Sequence, residues 1–156
     1  MPAKRAWLPV QREFTEQELE QIRPGFIPEH MEDKWWLLME GNTLYIHRSW
    51  TGYCIYQVQL ARQDTKYVTG EAFVNRDESQ YAGTNDLYDE KQLVFLIEYL
   101  LLKKRSPLPV TVAAGIATEL HHHHVLGAGT HTRDPGRNAI MAPALVHLVG
   151  QAITPA

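Results

Sequence analysis

The chain has 156 residues, 44% of them hydrophobic and 21% charged, with 15 basic against 18 acidic side chains. That length fits one compact domain, and the composition excludes a disordered chain. A formal net charge of −3 supplies no whole-protein field to gather extended nucleic acid or anionic lipid, and leaves room only for a local basic pocket.

The lone cysteine, Cys54, cannot close an intramolecular disulfide, which argues against a secreted, stapled fold. Met1 to Phe14 carries early positive charge with no apolar run behind it, so no signal peptide is expected. The apolar run Leu93 to Ile97 ends at Glu98, far short of the roughly 20 residues that span a bilayer. The expected location is the cytoplasm, with no membrane partner.

The first fourteen residues, with Pro2 and Pro9, read as an irregular arm. Thr15 and Glu18 form a capping-box pattern that predicts a short helix over 16–22, stopped by Pro24-Gly25. Arg23 to Asp33 reads as an ordered loop anchored by Phe26, Ile27 and Met31. Four segments follow that are rich in aromatic and β-branched residues: Lys34 to Met39, Thr43 to Trp50, Tyr53 to Leu60 and Tyr67 to Asn75. Gly41-Asn42, Thr51-Gly52 and Gln63-Asp64 separate them as turn signals. Connections this short predict an antiparallel meander, because parallel strands need long crossovers.

After a link from Arg76 to Thr84, a helix is predicted over 86–104, capped by Asn85 or Asp86. Leu87, Leu93, Val94, Leu96, Ile97, Leu100 and Leu101 form its apolar stripe. Acids at its start and bases at its end suit the helix dipole, and Pro107 and Pro109 forbid continuation. Val110 to Leu120 reads as helix or buried strand, Gly127 to Asn138 as loop, and a last helix runs from Asn138 through Val149. The predicted fold is a single α+β domain over residues 1–156, with about four meander strands packed against helices.

Four constellations carry candidate chemistry. On a strand, Leu44, Ile46, Arg48 and Trp50 share one face, and Tyr45, His47 and Ser49 the other. Arg48 among apolar neighbours needs an anionic partner. Either an internal carboxylate (Glu71, Glu98 or Asp33) supplies it, or a ligand phosphate or carboxylate does, with Trp50 stacking on a base or ring. The run His121-His122-His123-His124 is either a solvated stretch or a source of proton-transfer groups, with His47, His123 and His124 as catalytic candidates. It also offers a two- or three-His metal site with His131 or His147, although the spacing closes no structural zinc motif and no metal is assigned.

Gly127, Gly129, Thr130 and His131, followed by Arg133 and Arg137, form an ordinary loop or a cradle for an anionic group. They complete no dinucleotide-binding fingerprint. Asn75 and Arg76, directly after a strand, read as a solvated turn or as ligand contacts at a strand end.

The run Arg23-Pro-Gly-Phe-Ile-Pro-Glu-His-Met-Glu-Asp-Lys-Trp-Trp, with Leu44-Tyr-Ile-His-Arg-Ser-Trp-Thr-Gly after it, resembles segments of bacterial proteins joined to ADP-ribose-processing macro domains. The resemblance covers about residues 20–105 and brings no catalytic motif; the chain lacks the βαβ layout of a macro domain. It implies a ligand derived from NAD or ADP-ribose.

The leading expectation is a domain for a phosphate-bearing nucleotide, either a binding domain or an enzyme that hydrolyses or transfers it, with an Arg48/Trp50 site on the sheet and a His/Gly loop over it. The cofactor is left unassigned, and a homo-oligomer is open. One alternative is a protein-interaction or immunity-type module with an aromatic and histidine surface. A second is a metal-dependent hydrolase built on the histidine run.

Overall fold

A computed structural model describes residues 1–109 of the chain. Its centre is an antiparallel sheet of six strands: β1 (Arg5–Trp7), β2 (Glu13–Thr15), β3 (Trp35–Glu40), β4 (Thr43–Arg48), β5 (Cys54–Gln63) and β6 (Lys66–Asn75). The spatial order is β1-β6-β5-β4-β3, with β2 also on β6. Two helices, α1 (Glu16–Ile22) and α2 (Asp86–Leu96), complete an α+β architecture.

The predicted meander is present as β3 to β6, and local chemistry explains its turns. Gly41 opens the β3–β4 turn at φ +59°, a conformation glycine adopts at little cost. The β5–β6 turn uses Asp64 at φ 53°, one position later than Gln63-Asp64 implied. β4 ends at Arg48 rather than Trp50, because Gly52 N–H bonds back to Arg48 C=O at 2.8 Å and Arg48 N–H to Tyr53 C=O at 2.9 Å. Those bonds turn the chain before Trp50.

The strand count exceeds four because the first fourteen residues are not an irregular arm. Arg5, Ala6 and Trp7 pair with Asn75, Val74 and Phe73, and Glu13 to Thr15 pair with Val68 to Lys66. Ala6, Leu8 and Val10 alternate with Arg5, Trp7 and Pro9, so one face of the segment is apolar. Leu8, Val10 and Phe14 are buried. Pro9 is tolerated because it falls between β1 and β2.

α1 begins as its capping box dictates: Thr15 Oγ1 accepts from Glu18 N–H, and Glu18 accepts from Thr15 N–H. Phe26 of the following loop bridges to Leu37 at the β3 edge, but Ile27 and Met31 are exposed and anchor nothing. Instead, Asp33 is buried and its Oδ2 accepts from the N–H groups of Glu29 and His30.

α2 starts at the Asn85 cap and passes into a π-helical turn, Ile97–Leu101, where Leu102 N–H reaches Ile97 C=O at 3.1 Å. Helical structure thus stops at Leu101, short of Lys104. Leu93, Leu96, Ile97, Leu100 and Leu101 of the predicted stripe are buried, whereas Leu87 is exposed. One core joins both helices to the sheet through Leu19, Ile22, Trp35, Leu44, Ile46, Val58, Leu93 and Leu96. Arg12 fastens the outer layer, with Nε 3.2 Å from Glu98 and Nη2 3.8 Å from Glu18; Lys104 pairs with Glu18 as well.

Candidate ligand-binding site

At one end of the sheet, β3 and β5 begin and β4 and β6 finish. The core face there carries polar groups instead of aliphatic ones. Arg48 continues the Leu44, Ile46 face of β4, as period-two alternation requires. Its register partner on β3 is Trp35, and its guanidinium carbon lies 4.0 Å from the Trp35 ring centroid. Burial pushes the Arg48 guanidinium below its usual pKa, and the hydroxyls of Tyr81, Tyr56 and Tyr88 act in the opposite direction. The group stays charged, since arginine titrates far above neutrality.

None of the ion pairs among the described residues includes Arg48. The three carboxylates considered for it lie elsewhere. Glu98 faces Arg12 and accepts from Ser106, Asp33 caps the loop before β3, and Glu71 is exposed on β6.

Beside Arg48 is a buried network centred on Asp89 of α2, itself fully buried. Asp89, Gln92, Leu93 and Leu96 follow helical spacing, so the helix delivers a carboxylate and an amide to the same face as two leucines. Tyr56 donates to Asp89 Oδ1 at 2.9 Å and Tyr81 donates to the same oxygen. Asp89 Oδ2 has no aligned hydrogen bond; Arg76 Nη2, 2.7 Å away, compensates it as an ion pair. Arg76 also pairs with Asp86 and donates to Gly83 C=O. Burial opposes the charge of Arg76, but the Asp86 and Asp89 carboxylates beside it outweigh that cost and raise its pKa.

Proton counting orients this network. Each phenol has one proton. Tyr56 gives its proton to Asp89, so the Gln92 amide 3.1 Å away must turn its nitrogen to the Tyr56 oxygen. Burial raises the Tyr56 and Tyr81 hydroxyls well above their usual pKa, and Asp89 adds to the shift. Both phenols are therefore neutral donors at physiological pH, held in place by one carboxylate.

The structure separates the other sequence candidates. Trp50 is 75% exposed in the β4–β5 turn, and its Nε1 donates to Met31 C=O at 2.6 Å. The aromatic surface under Arg48 is Trp35 instead. His47 points to the opposite sheet face, 5.3 Å from the Trp36 ring and 6.4 Å from the Tyr45 ring, with Nδ1 3.0 Å from Gly52 C=O. Asn75 is buried, and its amide is committed to Cys54 C=O, Gln80 and Asp77 N–H. Asn75 and Arg76 thus hold the loop after β6 in place rather than forming a solvated turn.

His123, His124, Gly127, Gly129, Thr130 and His131 lie outside the described residues. So do the expectations for residues 110–156. Among the described residues, no three His, Cys, Asp or Glu side chains gather in a metal-binding arrangement, and no helix is long and apolar enough to cross a membrane.

Sequence patterns left Trp35, Tyr56, Tyr81, Asp89 and Gln92 out of the site. A signal did exist for Asp89 and Gln92, as polar residues in register with the Leu93 and Leu96 stripe. Tyr81 sits in a loop and had none. Comparison with protein-family models, with characterised proteins and with solved structures finds no match to this chain.

Proposed function

We propose that this chain binds a phosphate-bearing small molecule of nucleotide type at the Arg48 end of the sheet. The observation that carries the reading is the Arg48 guanidinium. It is partly withdrawn from water, stacked on Trp35, and without a carboxylate partner among the described residues. Arg12, Arg23 and Arg76 each face carboxylates, and Arg5 and Arg62, which pair with none among the described residues, are exposed, so Arg48 is set apart by its burial. A planar guanidinium with free N–H edges suits a phosphate or carboxylate held bidentately.

Tyr81 and Tyr88, raised in pKa by burial, are the neutral groups that accompany such an anion. Within this class a ligand derived from NAD or ADP-ribose stands first, on the strength of the resemblance over residues 20–105. Asp89 is engaged by Arg76 and two phenols, so its role is to set the tyrosines.

Thermal-shift titration tests the reading, because a ligand bound by the native state raises its melting temperature by mass action. ADP-ribose, NAD and inorganic phosphate are the probes. A saturable rise with ADP-ribose or NAD, competed by phosphate, is expected. A melting temperature unmoved by every phosphate-bearing probe overturns the reading.

A further inference from the structure

The sheet's second face, turned away from both helices, carries an ordered arrangement of its own. Trp7 of β1, Phe73 of β6, Gln57 of β5, Tyr45 of β4 and Leu38 of β3 are successive register partners. They form one row across five strands, about 19 Å wide at the usual interstrand spacing. Trp7 is 58% exposed, and Trp36 beside the row is exposed too.

Charge lies on opposite sides of this row. Towards the end where β6 finishes stands Arg5, two residues before Trp7, with its guanidinium 4.3 Å from the Phe73 ring centroid. On the other side stand Glu71, two residues before Phe73, and Glu40, two residues after Leu38. Arg5, Glu71 and Glu40 are all exposed.

We propose that this face is a self-association surface, on which a second copy of the chain packs about a twofold axis running along the Trp7–Leu38 row. A twofold axis in that direction lays row upon row and reverses the strand direction. The Arg5 side of one copy then meets the Glu71 and Glu40 side of the other, twice over. A twofold axis along the strands would reverse the strand order instead, bringing Glu71 of one copy towards Glu40 of the other and leaving Arg5 over the β3 edge, and is disfavoured by charge. Sheets packed face to face interdigitate their side chains in this aligned way, and a closed isologous pair buries the same patch on both subunits. Aromatic residues with an arginine are the composition expected at the middle of such an interface. Its small footprint makes the dimer a concentration-dependent one.

Sedimentation velocity on the full chain from about 10 μM to about 1 mM, the range where weak interfaces associate, reads the proposal directly. Wild-type chain should sediment faster as concentration rises. Arg5→Glu and Glu71→Arg should each sediment as monomer with unchanged circular dichroism, since both positions are exposed. An equal mixture of the two variants should recover association, because unlike charges then face each other again at both symmetric contacts. Trp7→Ala checks the row itself and should also sediment as monomer. A wild-type chain that stays monomeric throughout overturns the proposal, as does association that survives both charge reversals, or a mixture that fails to recover it.

Discussion

Arg48 and Trp35 are register partners on adjacent strands, with the guanidinium carbon 4.0 Å from the indole ring centroid. Pairing places them side by side on the core face, where Leu44 and Ile46 precede Arg48 and Leu37 follows Trp35. The sheet therefore positions a planar cation on a planar aromatic surface. Cation–π stacking of this kind is worth about 0.5–2 kcal/mol, less than the cost of leaving a withdrawn charge without an anion.

Asp89→Asn should destabilise the fold by about 3 kcal/mol, because its single carbonyl oxygen can serve either the two phenols or Arg76, and the other side then meets an NH2 donor in place of a charged acceptor. The melting temperature should fall by about 10 °C. Thermal denaturation checks this. A variant that melts with the wild type would mean that the network contributes nothing to the folded state.

Alkaline stability should depend on Tyr56 and Tyr81. Burial raises both folded-state values above the ordinary 10.0. A raised folded pKa stabilises the native state fully below the unfolded value and loses that contribution as pH rises towards the folded one. Stability should therefore decline once pH passes about 10, and Tyr81→Phe should flatten the decline. Denaturant unfolding at pH about 9 and about 11 measures it; identical pH slopes for variant and wild type would contradict the assignment.

The legible parts of the chain were those governed by local rules. Thr15 and Glu18 announce α1, and Gly41 announces the β3–β4 turn. β1 and β2 were less visible because three-residue strands on an existing edge draw their stability from partners such as Val74 and Tyr67. Arg48 was legible from alternation on β4. Its aromatic neighbour was not, since Trp35 meets it through pairing across strands, whereas Trp50 is nearer in sequence but lies in a turn fixed by Gly52. The Asp89 network joins β5, the loop after β6 and α2, a convergence that only the tertiary fold supplies.

Gly25 and Gly52 should respond differently to alanine although both have φ +71°. Gly52 faces open space, so Gly52→Ala carries only the left-handed backbone cost of about 1–2 kcal/mol. A Cβ on Gly25 would lie 2.2 Å from the Leu37 carbonyl oxygen, in the bridge that ties the loop to β3. Gly25→Ala should lower the denaturant midpoint clearly more than Gly52→Ala. Equal midpoints would show that the bridge yields without cost.

Arg48→Lys keeps the charge and removes the planar fork, so it tests the central claim most directly. ADP-ribose affinity by calorimetry and melting temperature should be measured on the same preparations. Affinity should fall at least about tenfold, equivalent to about 1.4 kcal/mol, while the melting temperature stays near that of the wild type. A lowered melting temperature with unaltered affinity would show that Arg48 serves an internal partner and would contradict the assignment of this end of the sheet as the binding site.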